Sequence, residues 1–183
     1  MTHLYLIWHA QADRLKPGIN GSAIPNAGLS VQGVTQAERL RDRQAASGEI
    51  RADVLISSPL LRAKETAAII APALGLPVRI EDEVQEFNLG ECEGLTDEEI
   101  GERWGLFHID KEPFRRVAPS GDSWTEFVMR GCRALDRISR EYTGKTIVIV
   151  CHGRMIEASF TYCFQLDIWS QRPIMVENAS ITH

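Results

Sequence analysis

The chain has no CxxC pair, no excess of positive charge, no low-complexity tract and no apolar run of bilayer length. Its four cysteines, Cys92, Cys132, Cys151 and Cys163, show no zinc-ligand spacing. Cys151 closes a hydrophobic run and reads as a small core residue. This cysteine usage predicts a reducing, cytoplasmic setting. A net charge of −5 argues against a general nucleic-acid binder, which would be basic, but leaves room for a local basic pocket. No stretch approaches the roughly 20 apolar residues that span a bilayer, so no membrane partner is expected. The first residues enter a strand-like run without a signal-peptide layout. Internal repeats and linkers are also missing. The 183 residues therefore read as one domain, 1–183, large enough to bury a good core.

Two segments each end a hydrophobic run in a histidine: Leu4-Tyr5-Leu6-Ile7-Trp8-His9 and Ile147-Val148-Ile149-Val150-Cys151-His152. Both runs are short, β-branched and bounded by polar sequence, the pattern of strands buried on both faces. A third short run, Val54-Leu55-Ile56, leads into Ser57-Ser58-Pro59 and then Arg62 in the first turn of a helix. In an open parallel sheet the ligand crevice lies at the carboxyl ends of the strands. Two imidazoles, a guanidinium and a helix N-terminus then converge on one edge, a set suited to phosphate.

Strands and helices alternate, which predicts an α/β fold: three α/β/α layers around a mostly parallel sheet. Strands are expected at 4–8, 54–57, 78–80 and 146–151, with a last extended piece at 174–182. Helix one starts after Ser30 as N-cap, carries Val34, Ala37 and Leu40 on its apolar stripe and ends near Gly48. Helix two is expected from Pro59 to Leu74, with Gly75 as its stop and Pro72 disturbing its last turn. Thr96-Asp97-Glu98-Glu99 marks another helix start. Trp124 to Tyr142 reads as a long amphipathic helix with Phe127, Cys132, Leu135 and Ile138 inward, and Met155 to Phe164 as a last helix. The stretch 105–123 between them is expected to run over the sheet ends as a lid.

Taken together and in order, these residues resemble the histidine phosphatase superfamily, also called phosphoglycerate mutase-like. The resemblance covers nearly the whole chain. It rests on Trp8-His9-Ala10, on Leu29, Ser30, Gly33, Gln36 and Ala37, and on Ser57 through Ala67. It continues through Glu86 with Gly90-Glu91-Cys92-Glu93-Gly94, Gly121-Asp122-Ser123 with Phe127 and Arg130, His152-Gly153, and Asn178 through Thr182. It implies that His9 is a nucleophile forming phosphohistidine, and that Arg62 grips phosphate oxygens. His152 would donate to another phosphate oxygen, more strongly as a cation. Glu86 would be the general acid, with Glu83 and Glu91 its neighbours by a slip in register. Ser57 and Ser58 either touch phosphate or cap the strand-to-helix turn. No cofactor and no metal are needed, although a zinc site from His9, His152 and an acid is the alternative ligand set.

Three departures stand out. Trp8 occupies the place of an arginine that binds phosphate in the family; Ala10 replaces a glycine and Asp122 a glutamate. Arg154, after His152-Gly153, or Arg14 or Lys16 in the loop after His9, is the candidate replacement cation. Trp8, Ser58, Gly153 and Arg154 thus join the candidate phosphate contacts. Arg115 and Arg116 are the candidate lid residues, beside Trp104, Phe107, His108, Lys111 and Phe114. The resemblance implies a broad-specificity phosphomonoesterase for a small phosphorylated organic substrate, as a monomer or homodimer. The alternatives are an inactive phospho-ligand-binding module, for which Trp8 speaks, and a phosphoglycerate mutase. Chains of this kind usually continue for a further strand past the closing motif; here the sequence ends at His183.

Overall fold

The computed structural model describes residues 1–13, 27–106, 108, 111–167 and 175–183. Phe107 and the two loop cations Arg14 and Lys16 lie outside them. The chain runs β1 (His3–Trp8), α1 (Val31–Ser47), β2 (Val54–Ser57), α2 (Leu61–Leu74), β3 (Val78–Ile80), α3 (Asp97–Trp104), α4 (Trp124–Glu141), β4 (Thr146–Cys151), α5 (Gly153–Phe164) and β5 (Ile181–Thr182). The five strands form one sheet in the order β3-β2-β4-β1-β5. Every neighbouring pair is parallel except β1 and β5. This is the expected α/β architecture.

Side-chain alternation divides the core between the two faces of the sheet. Ile147, Ile149 and Cys151 of β4 pack with Phe127, Leu135 and Ile138 of α4 and Met155 and Ile156 of α5. Val148 and Val150 point the other way, onto Leu40 of α1 and Ala63, Ala67 and Ile70 of α2. Both faces are covered, which explains why β4 is a continuous apolar run rather than an alternating one. Among the described residues no helix is long and apolar enough to cross a membrane.

Local chemistry sets the helix ends. The Ser30 hydroxyl accepts from the Gly33 N–H at 3.0 Å, and Gly48 closes α1 at a φ of 59°. Gly33 also permits a close approach: a Cβ there would lie 1.9 Å from the Gln11 carbonyl oxygen. The loop leaving His9 therefore rests directly on α1. Thr96 and Glu99 form a reciprocal capping box at the start of α3, and Ser123 and Glu126 do the same for α4.

Several boundaries differ from expectation. Pro59 stands outside α2, because Ser58 turns the chain by accepting the Leu60 N–H and the helix begins at Leu61. The far end is as expected: α2 ends at Leu74 and closes at Gly75, with Pro72 inside its last turn. Val34 is 38% exposed; Gly33, Ala37, Leu40 and Gln44 make the buried face of α1. Cys132 is only half-buried on α4. α5 starts two residues early, with His152 as its N-cap. Of the described part of the last extended piece, Ile181 and Thr182 form β5; just before it Ala179 takes a positive φ of 61° and donates its N–H to the Trp8 carbonyl. The excursion after α3 is partly core: Val117 and Ala118 are buried, and the Val117 carbonyl accepts from Cys92 Sγ.

Candidate active site

The carboxyl ends of β1 and β4, adjacent and parallel, bring His9 and His152 together with ring centroids 5.0 Å apart. Both are buried. His9 Nδ1 lies 2.7 Å from the Ala10 carbonyl oxygen, which can only accept. The ring proton therefore sits on Nδ1, and the Nε2 lone pair is exposed to the site. Two donors meet that lone pair: Arg62 Nε at 3.0 Å and the Trp8 indole N–H at 3.2 Å.

Arg62, 4% exposed, reaches inward from the first turn of α2. Burial lowers its basicity, while the charges of Glu86 and Glu93 hold it up. Its Nη1 is buried with no hydrogen-bond partner among the described residues. His152 Nε2 lies 2.8 Å from Ser58 Oγ, and His152 Nδ1 is likewise unpartnered. Burial, with the neighbouring His9, Arg62 and Arg130, pushes the His152 imidazole well below its ordinary range. Ser57 turns its hydroxyl away from the histidines and donates it to the Ser58 carbonyl.

Glu86 completes the cluster. Burial raises its carboxyl above the ordinary range, against the Phe87 N–H, the charges of Arg154 and Arg62, and the Arg154 backbone N–H. Glu83 and Glu91 are occupied elsewhere: Glu83 pairs with Arg133 and Arg137, and Glu91 accepts the Ser120 N–H. Trp8 packs over Gly153, where an added Cβ would meet its ring at 3.4 Å. The indole therefore stands inside the site. Arg116 is tied to Glu126, and Arg115 to Glu112 and to the carbonyls of Leu106 and Trp104, so both brace the excursion internally. Among the described residues no three His, Cys, Asp or Glu side chains gather where a metal ion could sit.

Three supporting residues carried no assigned role in the sequence reading, though each lies in a matched motif. Thr66 Oγ1 accepts the buried Ala10 N–H at 3.0 Å and donates to the Arg62 carbonyl at 2.7 Å. Asn178 donates to the His9 carbonyl at 2.9 Å. Arg130 donates to the carbonyls of Glu83, Gln85 and Glu86 and pairs with Asp122 at 3.0 Å. The signal for Thr66 was its place one turn after Arg62 on the same face of α2.

The model of the histidine phosphatase superfamily (branch 1) matches residues 4–183. The chain belongs to this superfamily. Curated relatives include the bifunctional protein Rv2228c of Mycobacterium tuberculosis, 35% identical over 82% of this chain and 41% of its own length. The chain thus spans well under half of that mycobacterial relative. The uncharacterized phosphatase PhoE of Bacillus subtilis is 30% identical over 88% of this chain and 77% of its own length. Among solved structures, YhfR of Bacillus stearothermophilus superposes with a TM-score of 0.76 at 26% identity, covering 99% of this chain and 89% of its own. The mycobacterial glucosyl-3-phosphoglycerate phosphatase Rv2419c shares the fold at a TM-score of 0.79 and 24% identity, over 97% of this chain and 88% of that one. The matched span includes His9, Arg62, Glu86 and His152, with Trp8 beside the first histidine.

Proposed function

We propose that the chain hydrolyses small phosphomonoesters through a phosphohistidine on His9, without a metal. One observation carries this reading: the Nδ1 proton of His9 is held by the Ala10 carbonyl, leaving Nε2 as an accepting, nucleophilic nitrogen inside a ring of donors. Nε2 attacks phosphorus and the ester P–O bond breaks. The leaving oxygen takes a proton from Glu86, whose burial keeps it protonated beyond the ordinary carboxylate range. In the second half Glu86 accepts a proton from water as that water attacks phosphorus. The N–P bond then breaks, Nε2 regains its lone pair and inorganic phosphate leaves.

Phosphoryl transfer asks chiefly for positioning and charge stabilisation. Arg62 supplies the main charge; its orphaned Nη1 and the free nitrogen of His152 are donors or acceptors in need of a partner. The Trp8 indole contributes one neutral N–H where a guanidinium would contribute charge and a fork. Trp8 also favours a second reading, a phospho-ligand-binding module with little turnover. Release of phenolate from an aryl phosphate near pH 6, with chelator present, separates the two. Activity that His9→Ala abolishes supports the phosphatase; inactivity in the parent and in Trp8→Arg alike supports the binding module.

A further inference from the structure

Two of the five histidines stand at the other end of β1 from His9: His3 opens the strand, and His183 follows β5. β5 runs antiparallel to β1, with Leu6 opposite Thr182 and Ile7 opposite Ile181. One step further, the same register sets His183 opposite Tyr5. Their rings stack flat, with centroids 4.1 Å apart and planes 1° from parallel. His3 lies two residues before Tyr5 and so shares its face of the strand. It is the diagonal neighbour of His183, within reach of an aromatic side chain. The contact is made: His3 Nδ1 and His183 Nε2 are 3.1 Å apart. Both partners are anchored. The His3 backbone N–H donates to the Lys145 carbonyl at 3.0 Å, beside its β4 partner Thr146, and Tyr5 holds the ring of His183.

Imidazole nitrogens ligate zinc at about 2.0–2.1 Å. Two of them on one ion then stand about 2.9 Å apart at a right angle and about 3.3 Å apart at the tetrahedral angle. The 3.1 Å between these two nitrogens falls inside that span. In the hydrogen bond one ring donates its N–H and the other accepts. When the donor ring carries its proton on its other nitrogen, both facing lone pairs can meet an ion after a small turn of each ring. Neutral imidazole suits zinc, nickel and copper rather than magnesium or calcium. Among the described residues no third His, Cys, Asp or Glu joins the pair, and His183 is exposed, so water completes the shell. We propose that His3 and His183 form a two-histidine site for a divalent transition-metal ion that clamps β5 onto β1. The ion takes no part in phosphoryl transfer, because the strand separates it from His9. The clamped segment nevertheless reaches the active site: just before β5, the Ala179 N–H donates to the Trp8 carbonyl and the Asn178 amide to the His9 carbonyl, each at 2.9 Å.

The test is calorimetric titration of the full chain with zinc chloride, in a buffer free of phosphate and imidazole. A pH of about 7.5 keeps ordinary imidazoles neutral. The parent should bind zinc, and magnesium chloride should give no heat of binding. His3→Gln and His183→Gln should each weaken zinc binding by about 10- to 100-fold, while His9→Ala and His108→Ala leave it unchanged. No zinc binding by the parent, or parent-like affinity in either glutamine variant, would overturn the proposal. So would loss of binding in His9→Ala, which would place the ion on the other histidine pair. Zinc should also raise the urea midpoint of the parent and slow hydrogen exchange at Ile181 and Thr182, and do neither in His3→Gln. The same slowing in His3→Gln would overturn the clamp.

Discussion

The Ala10 backbone N–H donates to Thr66 Oγ1 at 3.0 Å, and both residues are fully buried. The same hydroxyl donates to the Arg62 carbonyl. One side chain thus ties the strand end that carries His9 to the helix turn that carries Arg62. Thr66→Val keeps the shape and removes both hydrogen bonds. It should cost about 1–3 kcal/mol in urea unfolding, since the Ala10 N–H is left buried and unpaired. It should also lower kcat, and Thr66→Ser should restore most of both. Full stability in the valine variant would contradict the tie.

Trp8 and Arg62 meet on one nitrogen of His9. Trp8→Arg replaces a neutral donor with a charged fork at the same strand position. The phosphatase rate should rise by about 10²- to 10³-fold, the scale of one charge-stabilising donor. Trp8→Phe keeps an aromatic ring without the N–H and should lower the rate below the parent. A stopped assay on an aryl phosphate reads both. No gain in Trp8→Arg would show that the indole is not what limits turnover.

Glu86 and His152 shift in opposite directions. Glu86 is raised, so the folded protein holds its proton to higher pH than the unfolded chain does. Its contribution to stability is present below the ordinary carboxylate range and lost as pH rises through its folded value. Glu86→Gln should therefore gain stability relative to the parent on going from about pH 4 to about pH 8, read by urea unfolding at each end. The same variant should lose about 10²- to 10⁴-fold in kcat on esters with poor leaving groups. His152 is lowered, so its contribution is present above its ordinary range and lost as pH falls through the folded value. Identical pH profiles for the parent and Glu86→Gln would contradict the assignment of Glu86.

Arg130 holds the Glu86 segment through three backbone carbonyls and the Asp122 carboxylate. Arg130→Lys keeps the charge but lacks the fork that spans these acceptors. Its kcat should fall with little change in KM, and the alkaline limb of its pH profile should shift as Glu86 loses its fixed setting. A shift in KM alone would place Arg130 at the substrate rather than behind the acid.

Both histidines were legible because each ends a β-branched run, and strand ends are where a parallel sheet gathers its chemistry. Arg62 was legible from the strand-turn-helix pattern around it. The helix start at Ser30 was legible from a side chain that caps a backbone N–H, and the one at Thr96 from the acids that follow it; the cap at Ser123 is seen only in the fold. Thr66, Arg130 and Asn178 act through backbone atoms distant in sequence, and such partners leave no periodic trace. Arg115 and Arg116 stood out as cations in an irregular stretch, yet the acids that meet them, Glu112 and Glu126, set them as braces. β5 is short, and the positive φ at Ala179 just before it was not signalled by side-chain identity.

The central claim is that His9 Nε2 becomes phosphorylated during turnover. The direct measurement is mass spectrometry of a peptide spanning His9, from protein mixed with an aryl phosphate and quenched in alkali to preserve a phosphoramidate. A phosphoryl group on His9 that appears with substrate, decays as substrate is consumed and accumulates in Glu86→Gln is the expected result. Phosphate release from the parent with His9 unmodified throughout would contradict the mechanism.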